Sequence, residues 1–377
     1  MSFQPFELEH YQSRWERTVE VNLADSSVQC LVTREWLTAD EQAALLSTGL
    51  YYPEVNGSAG LRQRIAAMYP EASAANVLVT VGAAQANSMV CQAILAPGDE
   101  VVVVSPGYRQ VWGLALNAGC HVRELILTPE DAWRPDLDAL DRLITSKTKL
   151  VAIVNPNNPT GTILTDVERA RVVAACARVG AWLLADEVYQ GTELGGQPET
   201  RSFWGEYDRV ICTNSLSKAY GLAGLRIGWA VADRETIQAL WRRHEYAVIA
   251  AAAPSMTLAE LAVSPAKRSQ LFARQEALTR AGWDVLKDWL AGQGGRFSVV
   301  PPDATAIAFV RYHLPIESVA LADHIRTATG VLVAPGSLLG TEHHLRITLG
   351  YEPAKVRGAL DRIGASLDRL VPVSAAG

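Results

Sequence analysis

No stretch of the 377-residue sequence approaches the ~20 consecutive apolar residues that a membrane-spanning helix needs. Its opening, MSFQPFELEHYQ, has neither a basic n-region nor an apolar h-region, so no secretory signal is expected. Cysteine is scarce. Cys30, Cys91, Cys120, Cys176 and Cys212 are odd in number and without CxxC spacing, which speaks against a disulfide framework and fits buried thiols in a reducing compartment. Concentrated positive charge is also missing: 34 Lys and Arg are scattered among 40 Asp and Glu, for a net charge of −6, so no basic stripe offers itself to nucleic acid. There is no tandem repeat, and low complexity is confined to the tail SAAG. These absences point to a soluble, cytoplasmic protein that handles small molecules. At 49% hydrophobic and 20% charged, the chain can fill a large core and a smaller domain besides.

What is present is alternation. The runs VLVTV (77–81), EVVVVS (100–105), CHVRELI (120–126), KLVAIVN (149–155), AWLLAD (181–186) and RVICTNS (209–215) read as strands, and helical patterns at about 84–95, 109–118, 136–144 and 165–179 fill the intervals. Strands apolar on both faces and interleaved with helices imply an α/β fold, a mostly parallel sheet covered on both sides. After Ser255 the texture changes: a long helical pattern runs to about 292, then come short strands near 296–300 and 304–311, a helix near 316–328, a strand at 344–349 and a final helix. This is a second, α+β unit. The first ~45 residues carry helical pieces but no sheet pattern, and are expected to pack on another part of the molecule.

In open α/β sheets ligands sit beyond the carboxyl ends of the strands, and five informative clusters fall there. GAAQA (82–86) opens a helix with small residues that let a phosphate reach free backbone N–H groups, although such a turn is often only tight. PGYRQ puts Tyr108 at the next helix start, where an aromatic commonly just closes the core. NPNNPTG (155–161) is a stiff turn, with Asn158 as the natural pointer toward a ligand. DEVYQ ends a strand on Asp186, with Tyr189 three residues on; a partly buried carboxylate needs a partner, so Asp186 awaits a cation. The fifth cluster, SLSKAYGLAGLRIGW (215–229), delivers Ser215, Ser217 and Lys218 to the same edge, and Arg226 follows across a turn. A lone lysine is normally a solvated surface charge, but this run is largely apolar. Pyridoxal phosphate (PLP) has an aldehyde for a lysine, a ring nitrogen for a carboxylate, a phenolic oxygen for neutral donors, a phosphate, and a flat face for an aromatic.

The combination of NPNNPTG, DEVYQ and SLSKAYGLAGLRIGW, in that order, resembles the class I/II, fold-type I PLP-dependent aminotransferases, from about residue 20 to 370. The resemblance implies a large PLP-binding domain over 48–250 and a small domain made of 1–47 and 251–377. It implies that Lys218 is the Schiff-base lysine and general base, that Asp186 pairs with the pyridine nitrogen, and that Asn158 and Tyr189 contact the ring oxygen. Ala83, Ala84, Ser215 and Arg226 would hold the phosphate, Ser217 would also bind the cofactor, and Tyr108 would stack on the ring. In YYPEVNGSAGLR the family's tyrosine five residues before a glycine falls on Tyr52 and Gly57, which implies a homodimer in which Tyr52 reaches the neighbouring subunit's phosphate. HLRITLGY (344–351) matches the strand whose arginine, here Arg346, grips the substrate α-carboxylate, beside Asn158. The implied reaction is ping-pong transfer of an amino group between an L-amino acid and a 2-keto acid.

Two departures concern specificity. No second arginine motif for a dicarboxylate side chain is evident, and SSVQC (26–30), where such enzymes often close over substrate, lacks the common glycine. The same motifs also serve a β-lyase, a decarboxylase, or a cyclising synthase acting on an arginine-derived amino acid. Glu54, Asn56, Trp112 and His244–Tyr246 are pocket candidates.

Other readings have less behind them. SLSK matches the S-x-x-K nucleophile motif of penicillin-binding proteins, but its S-D-N and K-T-G companions are missing. GLAGLRIG has the wrong glycine spacing for a dinucleotide loop. His343 with His344, and His244 with Glu245, lack metal-ligand spacing, so no metal is expected and the histidines read as surface or satisfied groups. A PLP-fold regulator would need an added DNA-binding domain for which the amino terminus is too short.

Overall fold

Six β-branched runs form strands within a residue or so of where the sequence puts them, because each supplies apolar side chains to both faces of one sheet. The computed structural model describes residues 3–370; the SAAG tail lies outside the described residues. The seven-stranded sheet runs in the order Val77–Thr80, Gly228–Val231, Val210–Ser215, Trp182–Asp186, Thr148–Val154, Glu100–Ser105, His121–Ile126. Only Gly228–Val231 runs against its neighbours. The other six share one direction, so their carboxyl ends line one edge.

Alternation decides the two cores. Val102, Val151, Ile153, Leu183, Ala185 and Cys212 enter the hydrophobic cluster on one face. Val101, Val103, Leu150, Ala152, Leu184 and Ile211 enter the cluster on the other. A leucine such as Leu183, fully buried here, contributes roughly 1.5–3 kcal/mol by leaving water, and truncation to alanine would cost about 2–5 kcal/mol.

The antiparallel strand was not expected from the sequence. It is four residues long and follows the Lys218 turn directly, so its signal is hidden in the motif. Gly228 explains its closeness to the site: a Cβ there would stand 2.4 Å from the Ala83 backbone nitrogen. Only glycine lets this strand press against the start of helix Gly82–Ile94.

The second unit has an antiparallel sheet in the order Ala334–Pro335, His344–Thr348, Ile307–Tyr312, Phe297–Val299, packed with helices Ser318–Thr329 and Pro353–Leu370. Its core includes Leu8, Tyr11, Val21, Leu23 and Ala24 from the amino-terminal segment. That segment also makes a two-residue strand, Val21–Asn22, parallel to Val331–Leu332, which is too short to leave an alternating pattern. The long helical pattern to 292 is two helices, Ala253–Ala262 and Pro265–Ala291. Pro265 explains the break, since proline lacks the N–H that would continue a helix but suits a first turn. Helix Arg234–Ala247, which the sequence reading passed over, is capped by Asp233, whose side chain accepts from the backbone N–H of Glu235 and Thr236.

Candidate active site

Helix Gly82–Ile94 begins at the end of its strand with Gly82 at φ +75°, and a Cβ on Gly82 would stand 2.5 Å from Arg226 Nη2. The guanidinium therefore lies against a helix amino terminus whose first N–H groups, those of Ala83 and Ala84 among them, have no partner within the helix. Arg226 Nη1 donates to Ser217 Oγ at 3.4 Å, and the Ser217 N–H donates to Ser215 Oγ at 3.2 Å. Ser215, Ser217 and Arg226 thus sit together beside the helix amino terminus that carries Ala83 and Ala84, an arrangement suited to a phosphate.

Asp186 ends its strand fully buried, and burial pushes its carboxyl pKa up. Its oxygens accept from Asn87 Nδ2 at 2.8 Å and from the Val188 N–H at 3.2 Å, both neutral. Asn87 in turn accepts from Thr213 Oγ1 at 2.8 Å. The sequence reading missed Asn87 and Thr213; an asparagine on the buried face of helix Gly82–Ile94 was the available signal.

Lys218 Nζ lies 6.0 Å from the Tyr189 ring centre and donates to Ser26 Oγ at 2.8 Å and Ser27 Oγ at 3.4 Å. The Tyr189 hydroxyl is buried and makes no hydrogen bond with the described residues.

In NPNNPTG the asparagines divide their work. Asn155 Oδ1 accepts from the Leu164 N–H, and Asn157 Nδ2 donates to Pro106 O and Thr160 Oγ1, so both hold the turn. Asn158 is buried as well but reaches away from the turn, and its Oδ1 accepts from Arg346 Nη1 at 3.1 Å. Arg346 is 1% exposed. Its Nη2 donates to Ala24 O at 2.5 Å and to Gln12 Oε1 at 3.4 Å, while Nε has no partner among the described residues. It is a buried cation surrounded by neutral acceptors.

Tyr108 donates to Glu9 Oε1 at 2.9 Å, with Phe6 edge-on to its ring. Burial, and then the Glu9 carboxylate, push its hydroxyl pKa well up. Tyr52 is not brought to this site within the chain; it is 82% exposed. Of the pocket candidates, Trp112 donates to Glu124, Tyr246 is almost wholly exposed and His244 is fully buried. His244 is therefore not the surface group that the sequence reading allowed, and its ring nitrogens have no clear side-chain partner among the described residues. No group of potential metal ligands occurs among the described residues, and no described helix is long and apolar enough to cross a membrane. A recess of about 1300 Å³ lined by Met68, Trp204, Tyr220, Arg268 and Phe272 is touched by none of Lys218, Asp186 and Arg346. Chemistry follows the charged groups here, not the volume.

The family model described as aminotransferase class I and II matches residues 19–363. The chain belongs to this family. It is 31% identical over 292 residues to capreomycidine synthase of Streptomyces vinaceus, covering 77% of this chain and 74% of that one. It is 28% identical to the arginine–pyruvate transaminase of Pseudomonas aeruginosa, covering 83% and 81%. The crystal structure of a PLP-dependent aminotransferase from Streptococcus suis superposes with a TM-score of 0.91 at 26% identity, covering 98% of this chain and 99% of that one. The fold is that of the fold-type I aminotransferases, and the aminotransferase is PLP-dependent. Its residues fit the cofactor: Asp186 is a buried carboxylate without a cation in contact, the Tyr189 hydroxyl is buried without a partner, and Gly82 leaves room beside Arg226 at a helix amino terminus.

Proposed function

We propose that this aminotransferase moves an amino group between an L-amino acid and a 2-keto acid in two alternating half-reactions. The observation that carries this reading is Arg346. A buried guanidinium with only neutral acceptors is costly, and a substrate α-carboxylate would complete it. Its fork can hold that carboxylate in two parallel bonds, and Asn158, already bonded to it, fixes the fork's direction.

When bound, PLP supplies an electron sink for charge that develops at the substrate Cα. The chain's own groups do the rest. Lys218 would hold the cofactor through Nζ, and that amine, once freed, would take the proton from the substrate Cα and deliver it to the cofactor's C4′. Asp186 would hold a proton at the ring nitrogen, and Asn87 and Val188 keep its carboxylate in place. Asn158 and Tyr189 would address the ring oxygen, Tyr108 would cover the ring, and Ala83, Ala84, Ser215, Ser217 and Arg226 would take the phosphate.

The same proposal includes a homodimer with shared sites, in which Tyr52 serves the partner's phosphate; Leu46, Leu50, Tyr51, Tyr52, Val248 and Ile249, all exposed, support such an interface. It divides the chain into a large domain over 48–250 and a small one from the remainder, and places it in the cytoplasm, in keeping with five unpaired thiols. A second reading, ring closure of an arginine-derived amino acid, is favoured by the similarity to capreomycidine synthase.

A panel of amino acids and 2-keto acids tests the two. Transamination bleaches the cofactor's visible absorbance and moves a labelled nitrogen to the keto acid. Ring closure leaves that nitrogen in its original product. If no amino acid alters the absorbance, both readings fail.

A further inference from the structure

The amino-terminal helix Glu7–Trp15 carries two polar side chains, about one turn apart, that touch residues of this site, Glu9 at Tyr108 and Gln12 at Arg346. Leu8 and Tyr11 are buried in the second unit's core, which fixes the roll of the helix. Glu9 and Gln12 are also three residues apart and lie together on the adjoining face. Gln12 Nε2 donates to Ala24 O, the carbonyl that also accepts from Arg346, and Gln12 Oε1 is 3.4 Å from Arg346 Nη2. Glu9 Oε1 receives the Tyr108 hydroxyl at 2.9 Å. The Cα atoms of Glu9 and Gln12 are therefore about 4.5 Å apart along the helix axis.

Its charge is not spent within the chain: Glu9 has no ion pair among the described residues, and Tyr108 engages only Oε1. The arginine next to Tyr108 is already committed, with Arg109 Nη1 donating to Glu124 at 2.6 Å. Beside Tyr108 the chain thus presents an exposed carboxylate, and the nearby guanidinium is neutralised. A distal carboxylate on the substrate would meet repulsion there, and a distal cation would meet a partner.

Resting on the reading of Arg346 as the holder of the α-carboxylate, the geometry points to Glu9 as the residue that selects an amino acid with a cationic side chain, a guanidinium above all. The substrate would lie along the helix, its α-carboxylate at Arg346 and its side chain reaching Glu9. A guanidinium offers paired N–H donors to a carboxylate, and Tyr108 holds that carboxylate by one oxygen.

The test compares arginine with citrulline, which has the same shape and no charge, on the PLP-loaded enzyme and its Glu9→Gln variant. Because Glu9 is exposed, its expected preference is moderate, about tenfold in kcat/KM for arginine over citrulline. Glu9→Gln keeps an acceptor for Tyr108 and is expected to remove most of that ratio by raising KM for arginine. Desamino-arginine, which lacks the α-amine and cannot react, gives a readout independent of turnover: by calorimetry it should bind the wild type about tenfold more tightly than the variant, whereas hexanoate should bind both alike. Equal losses for arginine and citrulline would overturn the proposal and reduce Glu9 to a support for Tyr108. Glu9-dependent binding of desamino-arginine supports cation selection even if no amino acid is turned over, while turnover without preference for arginine overturns it and leaves transamination standing.

Discussion

Ser26 Oγ lies 2.8 Å from Lys218 Nζ, although 192 residues separate them in the chain. Both Ser26 and Ser27 are buried, so their hydroxyls face the amine in a site largely closed to water. The contact ties the amino-terminal segment to the turn that carries Lys218.

Ser26→Ala should therefore lower kcat by about tenfold, the usual worth of a hydrogen bond to a charged group. Ser26→Thr keeps the hydroxyl and should recover most of the loss. Steady-state rates for the two variants check this; equal impairment would mean that the position matters only for packing.

Arg346→Lys keeps the charge and loses the fork. For amino acids kcat/KM should fall by about 2–4 kcal/mol in transition-state terms, while simple amines without a carboxylate should lose far less. Parallel kinetics on an amino acid and its decarboxylated amine measure the difference. Equal losses would assign Arg346 to the fold.

Tyr52 makes its contribution, on this account, across the dimer. Tyr52→Ala and Lys218→Ala proteins should each be nearly inactive, and mixing them with subunit exchange should restore activity above either parent, because some hybrids carry one intact site. No gain after verified exchange would mean that each site is built from one chain.

Glu187 gives the protein a pH-dependent stability. It is fully buried, accepting from Ser202 Oγ and the Phe203 N–H, and burial pushes its pKa up to about 7 from 4.5. Between those values the folded chain keeps a proton that the unfolded chain has released, so stability falls as pH rises through this window. The loss is complete above about pH 7 and absent below 4.5, and amounts to roughly 3 kcal/mol. Glu187→Gln, which cannot titrate, should show a flatter dependence in denaturant melts across that range; an unchanged slope would rule out this carboxyl as the source.

The sequence made the parallel sheet legible because its strands are short apolar runs, five of the six parallel ones closed by a motif, and the motifs occupy one edge. Lys218, Ser215, Ser217 and Arg226 could be placed together because one turn carries them all. What it could not show were contacts between distant segments. Ser26 meets Lys218, Gln12 meets Arg346 and Glu9 meets Tyr108 only through the docking of the amino-terminal segment, whose pairing strand is two residues long. Helix Arg234–Ala247 escaped because Arg, Glu and His dominate it and only Ile237, Leu240 and His244 are buried. Asn87 was hidden among the other polar residues of its helix, Gln85, Ser88 and Gln92.

The central claim is that Lys218 carries the cofactor. Borohydride reduction of the yellow holoenzyme followed by peptide mapping tests it most directly. The account predicts a single pyridoxyl adduct per chain, on Lys218, and loss of that adduct and of the yellow colour's fixation in Lys218→Ala. An adduct mapped to any other lysine would contradict it.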